Sequence, residues 1–177
     1  MSDNADCPAT APGALFPPAL LDAASRALAA ARRQGVRIVT AETVTAGLVS
    51  ACLTSVSGAS DVFERGFVLY HASAKATGLG VDACVARLHG AVSAEVTRGL
   101  AEGALASSTA GVSVAVTGYA GPGGGNGRNP VGTVYLAAAR QGHPTLETRR
   151  QFPGPRDAVR MAALSAALEL LVVRLAD

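Results

Sequence analysis

Six glycines fall between positions 118 and 127, in a stretch that joins two runs of strand-forming residues. Ahead of it residues 112–117 read VSVAVT, and after it residues 133–139 read TVYLAAA. Glycine lets the backbone approach a ligand closely and turn its amides inward. A loop this long in a compact domain is more often functional or disordered than idle, and a flexible hairpin connection is the plain alternative. It is not a Walker A loop, because no Gly-Lys-Ser/Thr follows. Nor is it a dinucleotide fingerprint, because a strand rather than a helix comes next.

The rest of the pattern alternates. Residues 19–34 carry leucine and alanine at helical spacing and stop at Gly35. Strand-like runs follow at 36–40 (VRIVT) and 65–70 (RGFVLY), with a helix at 46–55 between them. Helices are expected at 72–79, closed by Gly80, and at 82–89. Ser93 is a good N-cap for another to about residue 107, with Glu95 in its first turn. After the glycine loop, a turn at 141–144 leads into a strand at 145–152. A long helix then occupies 156–176, with Val159, Ala163, Ala166, Leu170 and Val173 on one face. Early helix–strand alternation argues for a layered α/β fold, and the late hairpin makes its sheet mixed.

With 177 residues, 49% apolar and 16% charged, the chain is expected to form one domain over residues 19–177 behind a flexible extension at 1–18. A net charge of +2 without a basic stripe argues against nucleic acid as a partner. No apolar run is long enough to span a bilayer, and the start, with Asp3 and Asp6, has no basic or apolar leader region. A cytoplasmic location and a homo-oligomeric state are expected. Cys7, Cys52 and Cys84 form no CxxC pair, and Cys52 and Cys84 sit in apolar company that suggests core positions. His71, His89 and His143 make no ligand pair, so neither metal nor cofactor is expected.

Four segments could carry chemistry. Residues 41–47 (AETVTAG) lie where a strand's carboxyl end meets a helix start, the usual place for ligands in open α/β sheets. Thr43 and Thr45 stand there beside Glu42, and helix capping by one of them is the ordinary alternative. Tyr70 and Lys75 flank the next strand-to-helix corner. Lys75 is the only lysine beside fourteen arginines. Arginine stays charged, whereas lysine can surrender its proton when desolvated, so a lone lysine suggests a site that needs a titrating amine. A solvated survivor of compositional drift is the alternative. The glycine loop is the third segment. The fourth is residues 152–160, where Arg156 and Arg160 lie four apart at a helix start, against the helix dipole. That placement favours a ligand-facing role for at least one of them, unless Asp157 simply neutralises both.

Taken in this order, the segments resemble the C-terminal domain of the CinA (competence/damage-inducible protein) family, which includes stand-alone nicotinamide-nucleotide amidases. The family's Tyr-Ser-Asn-Glu-Ala-Lys is matched at Tyr70, Ala74 and Lys75. Its Thr-Gly-Ile-Ala-Gly-Pro-Gly-Gly-Gly is nearly complete from Thr117 to Gly125, its Pro-Val-Gly-Thr-Val runs from Pro130 to Val134, and its His-Gly-Ala-Val-Ser is His89 to Ser93. The resemblance implies a three-layer α/β/α sandwich with a mixed, mostly parallel sheet of about five strands. It also implies hydrolysis of nicotinamide mononucleotide to nicotinate mononucleotide and ammonia, with a pyridine nucleotide as the small-molecule partner. The implied catalytic residues are Thr43, at the nucleophile position, Lys75 as base and Tyr70 assisting. The expected substrate-binding set is Glu42, Thr45, Thr117, Gly118, Gly121, Gly123, Gly124 and Arg156.

The departures cluster at the first segment. The family reads Glu-Ser-Cys-Thr-Gly-Gly where this chain has Thr43 for the serine and Ala46 for the first glycine. Pro155 also replaces an acidic residue before Arg156. Threonine's extra methyl restricts χ1 and crowds an incoming carbonyl. The alternative reading is therefore a catalytically impaired nucleotide-binding or regulatory module. An amidase- or deaminase-like hydrolase with an altered substrate is a third.

Overall fold

The computed structural model describes residues 15–176, so most of the expected extension, with Cys7, lies outside the described residues. Inside the span expected to be a flexible extension, Phe16 is buried in the core and Pro18 opens the first helix, α1 (Pro18–Gln34). Five strands, β1 (Ile38–Glu42), β2 (Phe63–Val68), β3 (Val112–Gly118), β4 (Thr133–Arg140) and β5 (His143–Gln151), form one sheet in the order β2-β1-β3-β4-β5. β1 pairs parallel with both β2 and β3, while β4 is antiparallel to both its neighbours. Four strands thus share a direction and β4 runs against them.

Helices cover both faces. α1, α2 (Leu48–Thr54) and α6 (Arg156–Ala176) pack on one; α3 (Ala72–Leu79), α4 (Ala83–His89) and α5 (Ala94–Ala106) pack on the other. The result is the three-layer sandwich, and the period-two pattern of β3 shows how it is specified. Val112, Val114 and Val116 enter the first layer, while Ala115 enters the second. The polar residues on the second side are paired with α5. Ser113 Oγ donates to the Ala101 carbonyl (2.7 Å), and Thr117 Oγ1 meets Thr97 Oγ1 (2.7 Å). Burying each large aliphatic side chain of these layers contributes about 1.5–3 kcal/mol relative to exposure.

Several boundaries differ from the sequence reading, each for a tertiary reason. β1 starts at Ile38, where pairing with β3 begins, and extends to Glu42. β2 ends at Val68, which leaves Tyr70 beyond the strand and exposed. The β4–β5 turn spans only Gln141 and Gly142 (φ 77°), and β5 starts at His143 because an edge strand tolerates Pro144. α6 buries Val159, Ala163, Leu164, Ala167, Leu168 and Leu171, so Val173, expected on the apolar face, is exposed. Cys52 is buried, donates to the Leu20 carbonyl (3.7 Å) and has its thiol pushed up to about 11 by desolvation. Cys84 is exposed instead of buried, because α4 contributes no fully buried residue.

Candidate active site

β1 is the point where the chain changes sides. Its connection to β2 runs through α2 on one face, and the connection from β2 to β3 runs through α3, α4 and α5 on the other. The crevice this opens at the carboxyl ends of β1 and β3 is where open α/β sheets take ligands. A cavity of about 240 Å³ lies there. Of the expected site residues, it is lined by Thr43, Tyr70, Lys75, Gly118, Gly121, Gly123 and Arg156. Glu42, Thr45, Thr117 and Gly124 do not line it. Val44, Ala72, Ala91, Val92, Tyr119 and Ala120 complete the wall. Ala91 and Val92 fall within the run from His89 to Ser93 that the sequence singled out, so a signal for them existed without a role attached.

The corner after β1 is held from inside. Glu42 is fully buried, and one carboxylate oxygen accepts the amides of Gly47 (2.9 Å) and Val49 (3.0 Å). The other accepts the Ser50 amide (2.9 Å) and hydroxyl (2.6 Å). The three amides are unpaired backbone donors at the start of α2, whose N-cap Gly47 has no side chain to satisfy them. Glu42 therefore supports the corner and is not free to meet a ligand. Thr43 Oγ1 donates to the Val116 carbonyl (3.1 Å) on β3. Thr45 is fully buried, and its hydroxyl has no partner among the described residues. Ala46 takes φ 49°, the left-handed conformation that suits glycine, so the turn keeps its shape despite the Cβ.

Lys75 is only 4% exposed, and its ammonium donates to the Ala91 carbonyl. Burial lowers its pKa to about 8, because desolvation disfavours the charged form. Lys75 and Thr43 share the cavity, but each bonds to main chain and not to the other. On the far wall Arg156 donates to the Gly121 carbonyl (3.0 Å) and to the Tyr70 hydroxyl (2.6 Å), tying the glycine loop to the segment before α3. Thr117's hydroxyl is spent on Thr97, which itself donates to the Ser93 carbonyl (2.6 Å).

The glycine loop is anchored rather than loose. Asn129 is buried, donates to the Val92 carbonyl (3.3 Å) and accepts from the Tyr135 hydroxyl (2.9 Å). Gly118 lies so close to β4 that a Cβ there would stand 2.8 Å from the Thr133 carbonyl. Among the described residues, none accepts a hydrogen bond from the amides of Gly121 or Gly123. Two lining amides are therefore available to an anion or an oxyanion. No group of acidic, histidine or cysteine side chains among the described residues is arranged to hold a metal ion. No helix among them is long and apolar enough to cross a membrane.

The model of the CinA C-terminal domain matches residues 21–175. The chain belongs to the CinA C-terminal domain family. A CinA-like protein of Syntrophobacter fumaroxidans is 44% identical over 140 residues, which is 79% of this chain and 33% of that protein. The chain thus spans about a third of the length of the CinA-like relatives it matches. The nicotinamide-nucleotide amidohydrolase PncC of Escherichia coli K12 is 42% identical over 142 residues, covering 80% of this chain and 86% of that protein. Among solved structures, the competence/damage inducible protein CihA of Agrobacterium tumefaciens superposes with a TM-score of 0.89 at 38% identity, covering 93% of this chain and all of that one.

Proposed function

We propose that this protein is a nicotinamide-nucleotide amidohydrolase, converting nicotinamide mononucleotide and water to nicotinate mononucleotide and ammonia. The observation that carries the reading is a buried lysine, its pKa lowered to about 8, in the same cavity as the Thr43 hydroxyl. A base works best when its pKa lies near the operating pH, and burial moves Lys75 into that range. Likeness to the Escherichia coli enzyme along most of its length supports the choice of substrate.

In the proposed reaction, Thr43 Oγ1 leaves the Val116 carbonyl and attacks the carboxamide carbon while neutral Lys75 takes its proton. Lys75 then protonates the leaving nitrogen, ammonia departs and an ester remains on Thr43. Water, activated by the same amine, cleaves the ester and returns the proton to Thr43. Amides of the glycine loop hold the oxyanion, the Tyr70 hydroxyl assists, and Arg156 pairs with the ribose phosphate. The expected cytoplasmic location and homo-oligomeric state belong to the same proposal.

A second reading is favoured by one contact. The Thr43 hydroxyl is engaged by Val116 and not by Lys75, as suits a binding or regulatory module that has kept the pocket. Incubation of the purified chain with nicotinamide mononucleotide separates the two. Ammonia released in step with nicotinate mononucleotide is the expected result; tight binding without ammonia would establish the second reading.

A further inference from the structure

α6 fastens the cavity at two successive turns. Arg156 reaches the glycine loop and Tyr70, and Arg160, one turn later, reaches the corner after β1. Arg160 Nε donates to the Val44 carbonyl (3.2 Å) and Nη2 to the Thr45 carbonyl (3.1 Å). These carbonyls belong to the two residues that directly follow Thr43. A planar guanidinium that engages two consecutive carbonyls orients both peptide groups at once, which a single ammonium cannot do. The Thr45 carbonyl also accepts the Leu48 amide (3.2 Å), so the same bond sets the first turn of α2 against the corner. The next residue, Ala46, holds a left-handed torsion without the freedom of glycine. Such a turn persists only where its surroundings over-determine it.

We infer that Arg160 is a positioning residue: it holds the peptide groups at 44–45 so that Thr43 is presented to the cavity. This inference rests on the amidase reading. Arg160 does not line the cavity, so it acts through the main chain and not on the ligand. Its ion pair with Asp157 is long (3.8 Å) and faces an exposed carboxylate, too weak to account for the placement.

The test uses the full chain with Arg160→Gln, Arg160→Lys and Asp157→Asn, read by steady-state hydrolysis of nicotinamide mononucleotide and by amide hydrogen exchange. Arg160→Gln should lower kcat about ten- to hundred-fold, the scale of a displaced reacting group. KM should stay within about two-fold, since the contacts to the nucleotide are untouched. Arg160→Lys should recover part of the loss, and Asp157→Asn should change neither parameter. Exchange at the Ala46 and Leu48 amides, whose acceptors lie on the corner, should quicken in Arg160→Gln while the β3 amides keep their protection. A raised KM at unchanged kcat would place Arg160 on the nucleotide and overturn the inference. Unchanged kcat with unchanged exchange would overturn it as well. If the wild type releases no ammonia, the amidase reading falls, and exchange at Ala46 and Leu48 alone decides whether Arg160 holds the corner. Should Arg160→Gln not fold, Arg160→Lys carries the same comparisons with a smaller expected effect.

Discussion

The two walls of the cavity are built on opposite terms. In the corner after β1, side chains hold the backbone: Glu42 takes up three amides of the α2 start, and Arg160 takes up two carbonyls. In the glycine loop Asn129 anchors the far end and Arg156 ties the near end through the Gly121 carbonyl, while the amides of Gly121 and Gly123, two residues that line the cavity, have no acceptor among the described residues. The first arrangement fixes one hydroxyl to a narrow set of positions. The second offers a surface of donors. On the proposed reading chemistry belongs to the corner and recognition to the loop. The departures from the family pattern at Thr43 and Ala46 fall on the side where small displacements matter most.

Lys75→Met should separate the walls most sharply. With the base gone, turnover should fall by about 10²–10⁴ while nucleotide binding, followed by calorimetry, persists. In the wild type kcat/KM should rise with pH through about 8, because only the neutral amine can accept a proton. The same variant should be more stable than the wild type. Lys75 binds its proton more weakly folded, near pH 8, than unfolded, near 10.5, so burial costs stability throughout the range below 8. Between those values the unfolded chain holds the extra proton and wild-type stability climbs. The advantage of Lys75→Met should therefore shrink as pH rises from 8 to 10.5, which thermal melts at several pH values would show. Loss of binding together with turnover would break the division between the walls.

Arg156→Ala should do the reverse. Removing the cation tied to the loop at Gly121 should weaken mononucleotide binding by about 1.5–3 kcal/mol if it meets the phosphate, with kcat less affected. Unchanged affinity would move the phosphate elsewhere. Thr43→Ser addresses the corner alone. Deleting one methyl frees χ1 and the approach path, so kcat should rise about three- to ten-fold with little change in KM. Activity that survives Thr43→Ala would exclude it as nucleophile. The smallest effect is expected from Ala46→Gly, which relieves the left-handed torsion and should stabilise the fold by about 0.5–1 kcal/mol. A shift in denaturant midpoint without a change in slope would measure it.

Local signals in the chain determined the layered sheet, the order of its elements and the general place of the site. The bounds of α3 and α6 were legible because Gly80 stops one helix and Pro155 precedes the other, effects that act within a turn. The family resemblance implied one pocket for Thr43, Tyr70, Lys75, Arg156 and the glycine loop, and the convergence of parallel strand ends is the physical reason that Thr43, Tyr70 and Gly118 meet at one cavity. What each side chain does there was not legible. Glu42 and Thr117 read as ligand-facing groups, yet they are consumed by the α2 amides and by Thr97. Arg156 and Arg160 stand four residues apart on one helix, yet one enters the cavity and the other supports the corner. The partners that settle these roles lie far away in the chain, as Thr45 does from Arg160 at a separation of 115 residues. No local propensity encodes such a contact; only packing α6 against the carboxyl end of β1 brings the two within bonding distance, and with them the decision about which arginine meets the cavity.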